Sequence, residues 1–158
     1  MCTTRIWPRA SSTRFLSLES LNRKGRQGRK GNPVNEEDLG KLKVSAALKV
    51  HTALGAGLLE SAYEACLSHE LGKHGLEMKR QVALPFFYDN LKLDAGYRID
   101  LLLNNKVIVE LKAVEKLLPI HTVQLLSYLK LGNHRLGFLL NFNVVHMKDG
   151  IKRVVNKL

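Results

Sequence analysis

The chain has 158 residues, enough for one domain with a sizeable core, and carries a net charge of +11. No apolar run reaches the roughly 18 residues of a membrane span, and the N-terminus lacks the apolar segment of a secretory signal. Cys2 and Cys66 complete neither a disulfide framework nor a metal-binding knuckle. We therefore expect a cytoplasmic protein in a reducing compartment, with no membrane partner.

Residues 1–35 are predicted to form a disordered basic tail, separate from a domain at 36–158. Residues 1–32 hold eight basic residues against Glu19 alone, which leaves 17 basic and 13 acidic residues for 33–158. The tail is rich in Ser, Thr and Gly without sustained periodicity, a composition typical of disorder. The tail could be a nucleic-acid-binding arm or resemble a transit peptide, since both are also basic. We favour a passive tail or a translated upstream region. The basic balance is therefore weak evidence for a nucleic-acid partner.

The domain is predicted to begin with two helices. Acidic residues at 36–38 favour a helix start. An apolar stripe at every fourth position follows, formed by Leu42, Ala46, Val50 and Leu54. Gly55-Ala56-Gly57 ends this helix, and a second is predicted over 58–73. Glu60 lies in its first turn, where a glutamate commonly caps a helix.

Strands dominate the rest of the chain. A first strand is predicted at 82–88, interrupted by Pro85, which suggests an edge or bulged position. Further elements are strands at 93–103 and 106–113, a helix at 119–131, a buried strand at 135–142, and a hairpin over 144–155 turning at Asp149-Gly150. The predicted order is α-α-β-β-β-α-β plus a C-terminal β-hairpin, an α/β fold with a mixed sheet (α+β).

The register of the hairpin at 93–113 decides where its charged side chains point. A two-residue turn at Asn104-Asn105 would set Asp100 opposite Val109 and turn Glu110 into the aliphatic face. A three-residue loop ending at Lys106 sets Asp100 opposite Glu110 instead. It also gathers one apolar face, formed by Ile99, Leu101, Leu103, Val107, Val109 and Leu111. Because a one-residue slip inverts every side chain, the hydrophobic pattern favours the second register.

That register predicts a compact charged site. Directly opposed strand residues lie about 5 Å apart, and Lys112 shares a face with Glu110. Two such carboxylates repel unless a cation or proton lies between them, and oxygen ligands of this kind suit Mg²⁺ or Mn²⁺. A nearby lysine can stabilise charge that develops on a phosphate. The alternative is a structural ion pair of Asp100 and Lys112 at a sheet end, with Glu110 exposed.

On the helix at 119–131, Gln124 and Tyr128 are four residues apart and so share a face. Such a pair more often serves surface hydrogen bonding than function. It gains weight here because the helix follows the carboxylate–lysine strand so closely.

Six ordered segments carry a resemblance to a known family: Val50-His51, Gly57–Tyr63, Tyr97–Asp100, Val109–Ala113, Gln124–Leu129 and Asn141-Phe142. From about Leu39 to the C-terminus, the chain resembles the bacterial GxxExxY proteins, which are placed in the PD-(D/E)XK nuclease superfamily. The departures are few, with Lys49 where an acidic residue is common and Ala56 in place of proline. Neither lies at the predicted ligands.

The resemblance implies a restriction-endonuclease-like core and a nuclease that hydrolyses phosphodiester bonds of DNA with Mg²⁺ or Mn²⁺. The implied metal ligands are Asp100, Glu110, Glu60 and, through its carbonyl, Leu111. Lys112 would assist the attacking water. Gln124 and Tyr128, as in the RecB-like Q-x-x-x-Y helix, would lie beside the metal and the nucleic-acid backbone. A related upstream histidine implies His51 as a further candidate, although a packed or solvent-facing role is the stronger expectation.

A catalytically silent nucleic-acid-binding or protein-interaction module on the same fold is the alternative. The intact set of Asp100, Glu110 and Lys112 argues against it, because a binding module needs no such set. The small excess of basic over acidic residues in 33–158 argues for it, since a surface that follows phosphates usually carries more positive charge.

Deletion of residues 1–32 should leave the melting temperature unchanged, because this segment lacks the apolar content needed to pack on a core. Calorimetric melting of the full chain and of residues 33–158 makes the comparison. A clear drop for the shortened chain would show that the segment folds onto the domain.

Overall fold

The structure is a computed structural model that describes residues 35–94 and 96–157. The predicted tail therefore lies outside the described residues. The domain is a five-stranded mixed sheet covered on both faces. The first two helices of the domain pack on one face and the third packs on the other, so that two buried clusters form. This α/β architecture confirms the predicted restriction-endonuclease-like fold class.

The helices are α1 at Glu36–Leu54, α2 at Glu60–Gly72 and α3 at Pro119–Leu131. The predicted acidic start of α1 is confirmed, and the side chain of Asn35 caps it by accepting from the N–H of Asp38 at 2.8 Å. None of the helices in the described ranges is long and apolar enough to cross a membrane.

The strands are β1 at Met78–Ala83, β2 at Phe86–Tyr88, β3 at Leu91–Leu93, β4 at Arg98–Leu103, β5 at Val107–Lys112, β6 at Leu136–Asn141 and β7 at Ile151–Val155. The main sheet has the order β1-β4-β5-β6-β7, and β2 and β3 form a separate ribbon. Only β5 and β6 are parallel, joined through α3, and the other neighbours pair in antiparallel fashion. The strand β5, which carries the predicted site, is thus the central strand.

Two predicted strands are interrupted and one is absent. The predicted strand at 82–88 is interrupted at Pro85, so that its first residues end β1 and its last three form β2. The predicted strand at 93–103 is also interrupted, because β3 ends at Leu93 and β4 begins at Arg98. The expected hairpin within 144–155 was wrong, because residues 147–150 form a 3₁₀ turn that buries Met147. The following strand, β7, pairs with β6 instead, since β6 would otherwise leave its backbone groups unpaired at the sheet edge.

The predicted register of the β4–β5 hairpin is confirmed. Leu101 pairs with Val109 and Leu103 with Val107, and the continuation of this register sets Asp100 opposite Glu110. The loop has three residues, and both of its asparagines adopt positive φ, 47° and 53°, a conformation that asparagine tolerates well.

The expectation of a single apolar face was wrong for Ile99. Both faces of the hairpin are buried, and Ile99 packs in the cluster that includes Leu102 and α3. The alternation breaks beside Asp100, where Gln81 of the neighbouring strand β1 has a φ of 49° and interrupts the β1–β4 pairing. The strand end that carries Asp100 therefore departs from regular sheet geometry.

A charged side chain is buried between α1 and the sheet. Lys43 of α1 is fully buried, and its ammonium lies over the ring of Phe138 without a hydrogen-bond partner. Burial lowers the pKa of Lys43 from 10.5 to about 6, and the charge of Arg153 acts in the same direction. Burying this group costs folding free energy at neutral pH.

Lys43→Met should stabilise the protein by about 1–3 kcal/mol at pH 7, because methionine fills a similar volume without an amine that must lose its proton on folding. Between the native pKa of about 6 and the unfolded value of 10.5, unfolding takes up a proton at Lys43. Raising the pH through this window therefore stabilises the native wild type. Urea unfolding across that window should show this slope in the wild type and lose most of it in the variant.

Lys41→Met, on the exposed side of the same helix, is the matched control and should leave the slope unchanged. A Lys43→Met protein that is less stable than wild type at pH 7 would contradict the inference that burial of Lys43 costs folding free energy.

Candidate active site

Two carboxylates occupy the end of the β4–β5 hairpin that is remote from its turn. Glu110 is 3% exposed, and Asp100 is partly buried. These residues lie beyond the last β4–β5 pair, Leu101 with Val109. There the N–H of Leu111 donates to Asp100 Oδ2 at 2.9 Å, and the N–H of Asp100 donates to Glu110 Oε1 at 3.4 Å. The carboxylates thus accept hydrogen bonds from backbone groups at the sheet end, which fixes both side chains between the two strands.

The carboxylate pair is electrostatically unfavourable without a cation. Burial raises the pKa of Glu110 to about 8, and the charge of Asp100 raises it as well, while the Lys112 ammonium opposes the shift. Burial also raises the pKa of Asp100, against the hydrogen bond from Leu111 and the charge of Lys112. Two carboxyl groups in this position favour a shared proton or a bound cation.

Lys112 ends β5 beside this pair. Its Nζ lies 3.9 Å from Glu110 Oε2, and its side chain is largely buried. The chain beyond it is held by Asn141 of β6, whose Oδ1 accepts from the N–H of Val114 at 3.1 Å and whose Nδ2 donates to the Val114 carbonyl at 2.8 Å. Asn141 is itself 1% exposed. These contacts fix the backbone that follows Lys112.

Glu60 lies at the start of α2 and contacts the same strand end. Its Oε1 accepts from the N–H of Ala113 at 3.0 Å, and the side chain is exposed. It makes no hydrogen bond to Asp100 or Glu110 in the described structure, and its part in metal binding stays a prediction.

Tyr63 explains why the G-x-x-E-x-x-Y segment has its spacing. This fully buried residue stacks on Phe142 with ring centroids 4.4 Å apart. Its hydroxyl donates to the Gly55 carbonyl at 2.8 Å and accepts from the N–H of Leu58 at 3.1 Å. Tyr63 therefore holds the loop between α1 and α2, which sets where Glu60 begins its helix.

Gln124 and Tyr128 of α3 form the predicted pair, since Gln124 Nε2 donates to the Tyr128 hydroxyl at 2.8 Å. Burial raises the pKa of Tyr128, opposed by this hydrogen bond, and the charges of Glu110 and Asp100 raise it further. Tyr128 thus lies within electrostatic reach of both carboxylates, on the sheet face that β5 presents to α3.

Three further residues around Asp100 were missed in the sequence. Glu64 of α2, 7% exposed, accepts from Arg80 Nε and from Gln81 Nε2, each at 2.8 Å. The same Gln81 amide lies 3.3 Å from Asp100 Oδ1. Gln81 therefore joins Glu64 to Asp100. Its positive φ within a strand is a tertiary feature with no local sequence signal, although Glu64 could have been found as a polar residue beside the buried face of α2.

His51 lies away from the carboxylates. Its Nε2 is 2.9 Å from the carbonyl of Val144, and its ring packs 6.5 Å from that of Phe142. The expected packed role is confirmed, because this contact anchors the segment after β6 to α1.

The donor set fits a hard divalent cation. Among the residues that the structure describes, no three Asp, Glu, His or Cys side chains converge closely enough to hold a metal by themselves. The two opposed carboxyl groups nevertheless offer oxygen donors. Their pKa values are raised, and the positive charge of Lys112 does not offset this shift. Such a pair, completed by carbonyl and water oxygens, is the donor chemistry that Mg²⁺ and Mn²⁺ prefer.

Comparison with known proteins agrees with this geometry. A family model described as the PD-(D/E)XK nuclease superfamily matches residues 37–154, about three quarters of the chain. Neither a curated protein nor a solved structure is recognisably similar to it. The match spans both helices before the sheet, the carboxylate–lysine hairpin, α3 and nearly all of β7. On this fold and this match, the chain belongs to the PD-(D/E)XK nuclease superfamily.

Proposed function

We propose that this protein is a divalent-metal-dependent nuclease that hydrolyses phosphodiester bonds of DNA. The observation that carries the proposal is the desolvated pair of opposed carboxylates with Lys112 beside it. Membership of a nuclease superfamily supports a nuclease-type function, and the donor set supports Mg²⁺ or Mn²⁺. The cysteine pattern supports a cytoplasmic setting.

In this proposal Asp100, Glu110 and the carbonyl of Leu111 hold the cation, and Glu60 completes the acidic site. A bound divalent metal would polarise the phosphate and favour deprotonation of the attacking water. Asp100 and Glu110 keep their orientation through the backbone hydrogen bonds at the strand ends. These hydrogen bonds would keep both carboxylates oriented towards a cation held between them.

Lys112 has a separate role. Its ammonium lies beside Glu110 rather than in a close ion pair with it, so it is available to orient water and to stabilise negative charge that develops on the phosphate. Gln124 and Tyr128 supply polar groups at the α3 wall of the site for the nucleic-acid backbone. These roles, together with the G-x-x-E-x-x-Y resemblance and the Q-x-x-x-Y helix, are parts of the proposal.

A silent nucleic-acid-binding module on the same fold is the second candidate. The modest net charge of the domain favours it, because phosphate-binding surfaces are usually more basic. The buried carboxylates disfavour it, because they would repel phosphates in a module that binds no metal.

Glu110→Ala should abolish cleavage and carboxylate-dependent Mn²⁺ binding, because it removes one of two cation ligands. The metal-free protein should be equally or slightly more stable, since a desolvated carboxyl facing Asp100 is removed. Lys112→Ala should keep Mn²⁺ binding but lower turnover by about 100- to 1,000-fold. Calorimetric titration of Mn²⁺ and a plasmid cleavage assay measure the two effects separately.

Glu115→Ala, a few residues beyond β5 in an exposed position, controls for general loss of acidic charge and should change neither measurement. If the wild-type protein shows no carboxylate-dependent binding of Mn²⁺, the nuclease proposal is wrong. Marked destabilisation by both Asp100→Ala and Lys112→Ala, with no effect of Mg²⁺ on any melting temperature, would identify a structural ion pair instead.

Gln81→Gly should weaken Mn²⁺ binding several-fold, because it removes the amide that joins Glu64 to Asp100 and so frees the Asp100 carboxylate to rotate. The melting temperature should be unchanged or higher, since glycine adopts a positive φ without the steric cost that glutamine carries. Isothermal titration and thermal melting of the same preparations provide both readouts.

Asn105→Gly is the matched control, because it relaxes a positive φ at the opposite, exposed end of the hairpin. It should leave Mn²⁺ affinity at the wild-type level. Equal Mn²⁺ affinities for Gln81→Gly and wild type would show that Gln81 only shapes β1 and does not position Asp100.

A further inference from the structure

A groove of about 430 Å³ opens beside α3, within the size range of small-ligand sites. Gln124 and Tyr128, which the proposed function places beside the carboxylates, are part of its lining. The rest of its lining consists of Phe86, Tyr97, Ile120, Val123, Ser127, Lys130 and Leu131. The groove therefore includes the two α3 residues of the proposed site, and the proposed chemistry gives its other residues no role.

Three aromatic rings form a row along this groove. The ring of Tyr97 lies 6.0 Å from that of Tyr128 and 5.8 Å from that of Phe86, centroid to centroid, with tilted planes. Tyr128 is nearly buried beside the carboxylates, whereas Tyr97 is 43% exposed. The row thus runs from the nearly buried Tyr128 through the partly exposed Tyr97 to Phe86.

The groove is apolar and lacks negative charge. Ile120, Val123 and Leu131 expose 62%, 54% and 44% of their surface, and no other described segment covers them. Exposed apolar patches of this kind mark interaction sites. Lys130 is the charged residue of the lining, and none of the lining residues is acidic. An occupant with a flat apolar face and negative charge suits this combination, and a nucleotide has both.

We propose that this aromatic groove, defined by Phe86, Tyr97 and Tyr128, is a stacking subsite for an unpaired nucleobase next to the phosphate that is cleaved. The proposal rests on the proposed function and narrows its substrate to single strands or unpaired ends. A base within a duplex is stacked on both sides and has to leave the helix before it can enter such a groove. An unpaired base offers a free face to an aromatic ring regardless of sequence.

The test removes the ring and the base separately. Fluorescence anisotropy in EDTA compares wild type and Tyr97→Leu on labelled oligothymidylate and on an abasic oligonucleotide of the same length. Tyr97→Leu should weaken binding of oligothymidylate by about five- to a hundredfold, the range expected for one stacked base. The abasic strand should bind both proteins equally weakly, so that the two losses are not additive. Wild type should prefer oligothymidylate to a blunt duplex.

Two further variants serve as a negative control and as an independent change to the groove. Tyr88→Leu removes a tyrosine that is 70% exposed and lies outside the groove, and it should bind oligothymidylate as wild type does. Val123→Glu places a carboxylate on the exposed groove floor without changing a ring. It should also weaken binding of the single strand, which keeps the proposal testable if Tyr97→Leu is misfolded.

Equal loss on the thymidylate and abasic strands, or duplex binding as tight as single-strand binding, would overturn the subsite. Sedimentation data could also overturn it, by showing a dimer that Val123→Glu dissociates while the affinity for oligothymidylate stays constant, because the groove would then join two copies of the chain.

A cleavage assay distinguishes failure of the subsite from failure of the nuclease proposal. Base-dependent binding without any Glu110-dependent cleavage supports the subsite and removes the nuclease, whereas Glu110-dependent cleavage insensitive to Tyr97→Leu overturns the subsite alone.

Discussion

The repulsion between Asp100 and Glu110 is the constraint on which the rest of the site depends. Both carboxyl groups are removed from water at the end of a strand pair, so burial raises the pKa of each, and the charge of Asp100 raises that of Glu110 further. A fold optimised only for stability would place aliphatic side chains there, as it does along the rest of the β4–β5 hairpin. The surrounding hydrogen bonds hold this unfavourable carboxylate pair in one geometry.

The residues that make these hydrogen bonds come from three separate parts of the chain. Tyr63 secures the loop before α2, Asn141 secures the backbone beyond Lys112, and Gln81 joins Asp100 to Glu64. Each contact is polar, and Tyr63 and Asn141 are almost fully buried. Buried polar groups with satisfied hydrogen bonds specify a single arrangement better than apolar contacts of the same area do. The geometry of the candidate site is thus specified by hydrogen bonds, while the two apolar clusters supply the stability.

The sequence predicted the parts of this arrangement that follow from local pattern. Helix boundaries at Glu36 and Pro119 and the hairpin register follow from capping, periodicity and face alternation, which act over a few residues. The pairing of β7 with β6 and the place of Gln81 depend on which edges and side chains meet after folding. The buried ammonium of Lys43 is a similar case, because a lysine among apolar residues of α1 has the same sequence signature whether it faces solvent or the sheet.

The shared position of Tyr128 links catalysis to substrate choice. Its hydroxyl accepts a hydrogen bond from Gln124, while its ring begins the aromatic row that continues through the exposed Tyr97 to Phe86. With Tyr128 beside the metal as proposed, a base stacked on Tyr97 would help to position its attached phosphate, so that binding of the base would contribute to alignment for attack. A duplex lacks that free base and would gain alignment only after fraying. Selectivity for unpaired strands would then arise from positioning, without any contact that reads base identity, and the modest charge of the domain would suffice because stacking supplies part of the affinity.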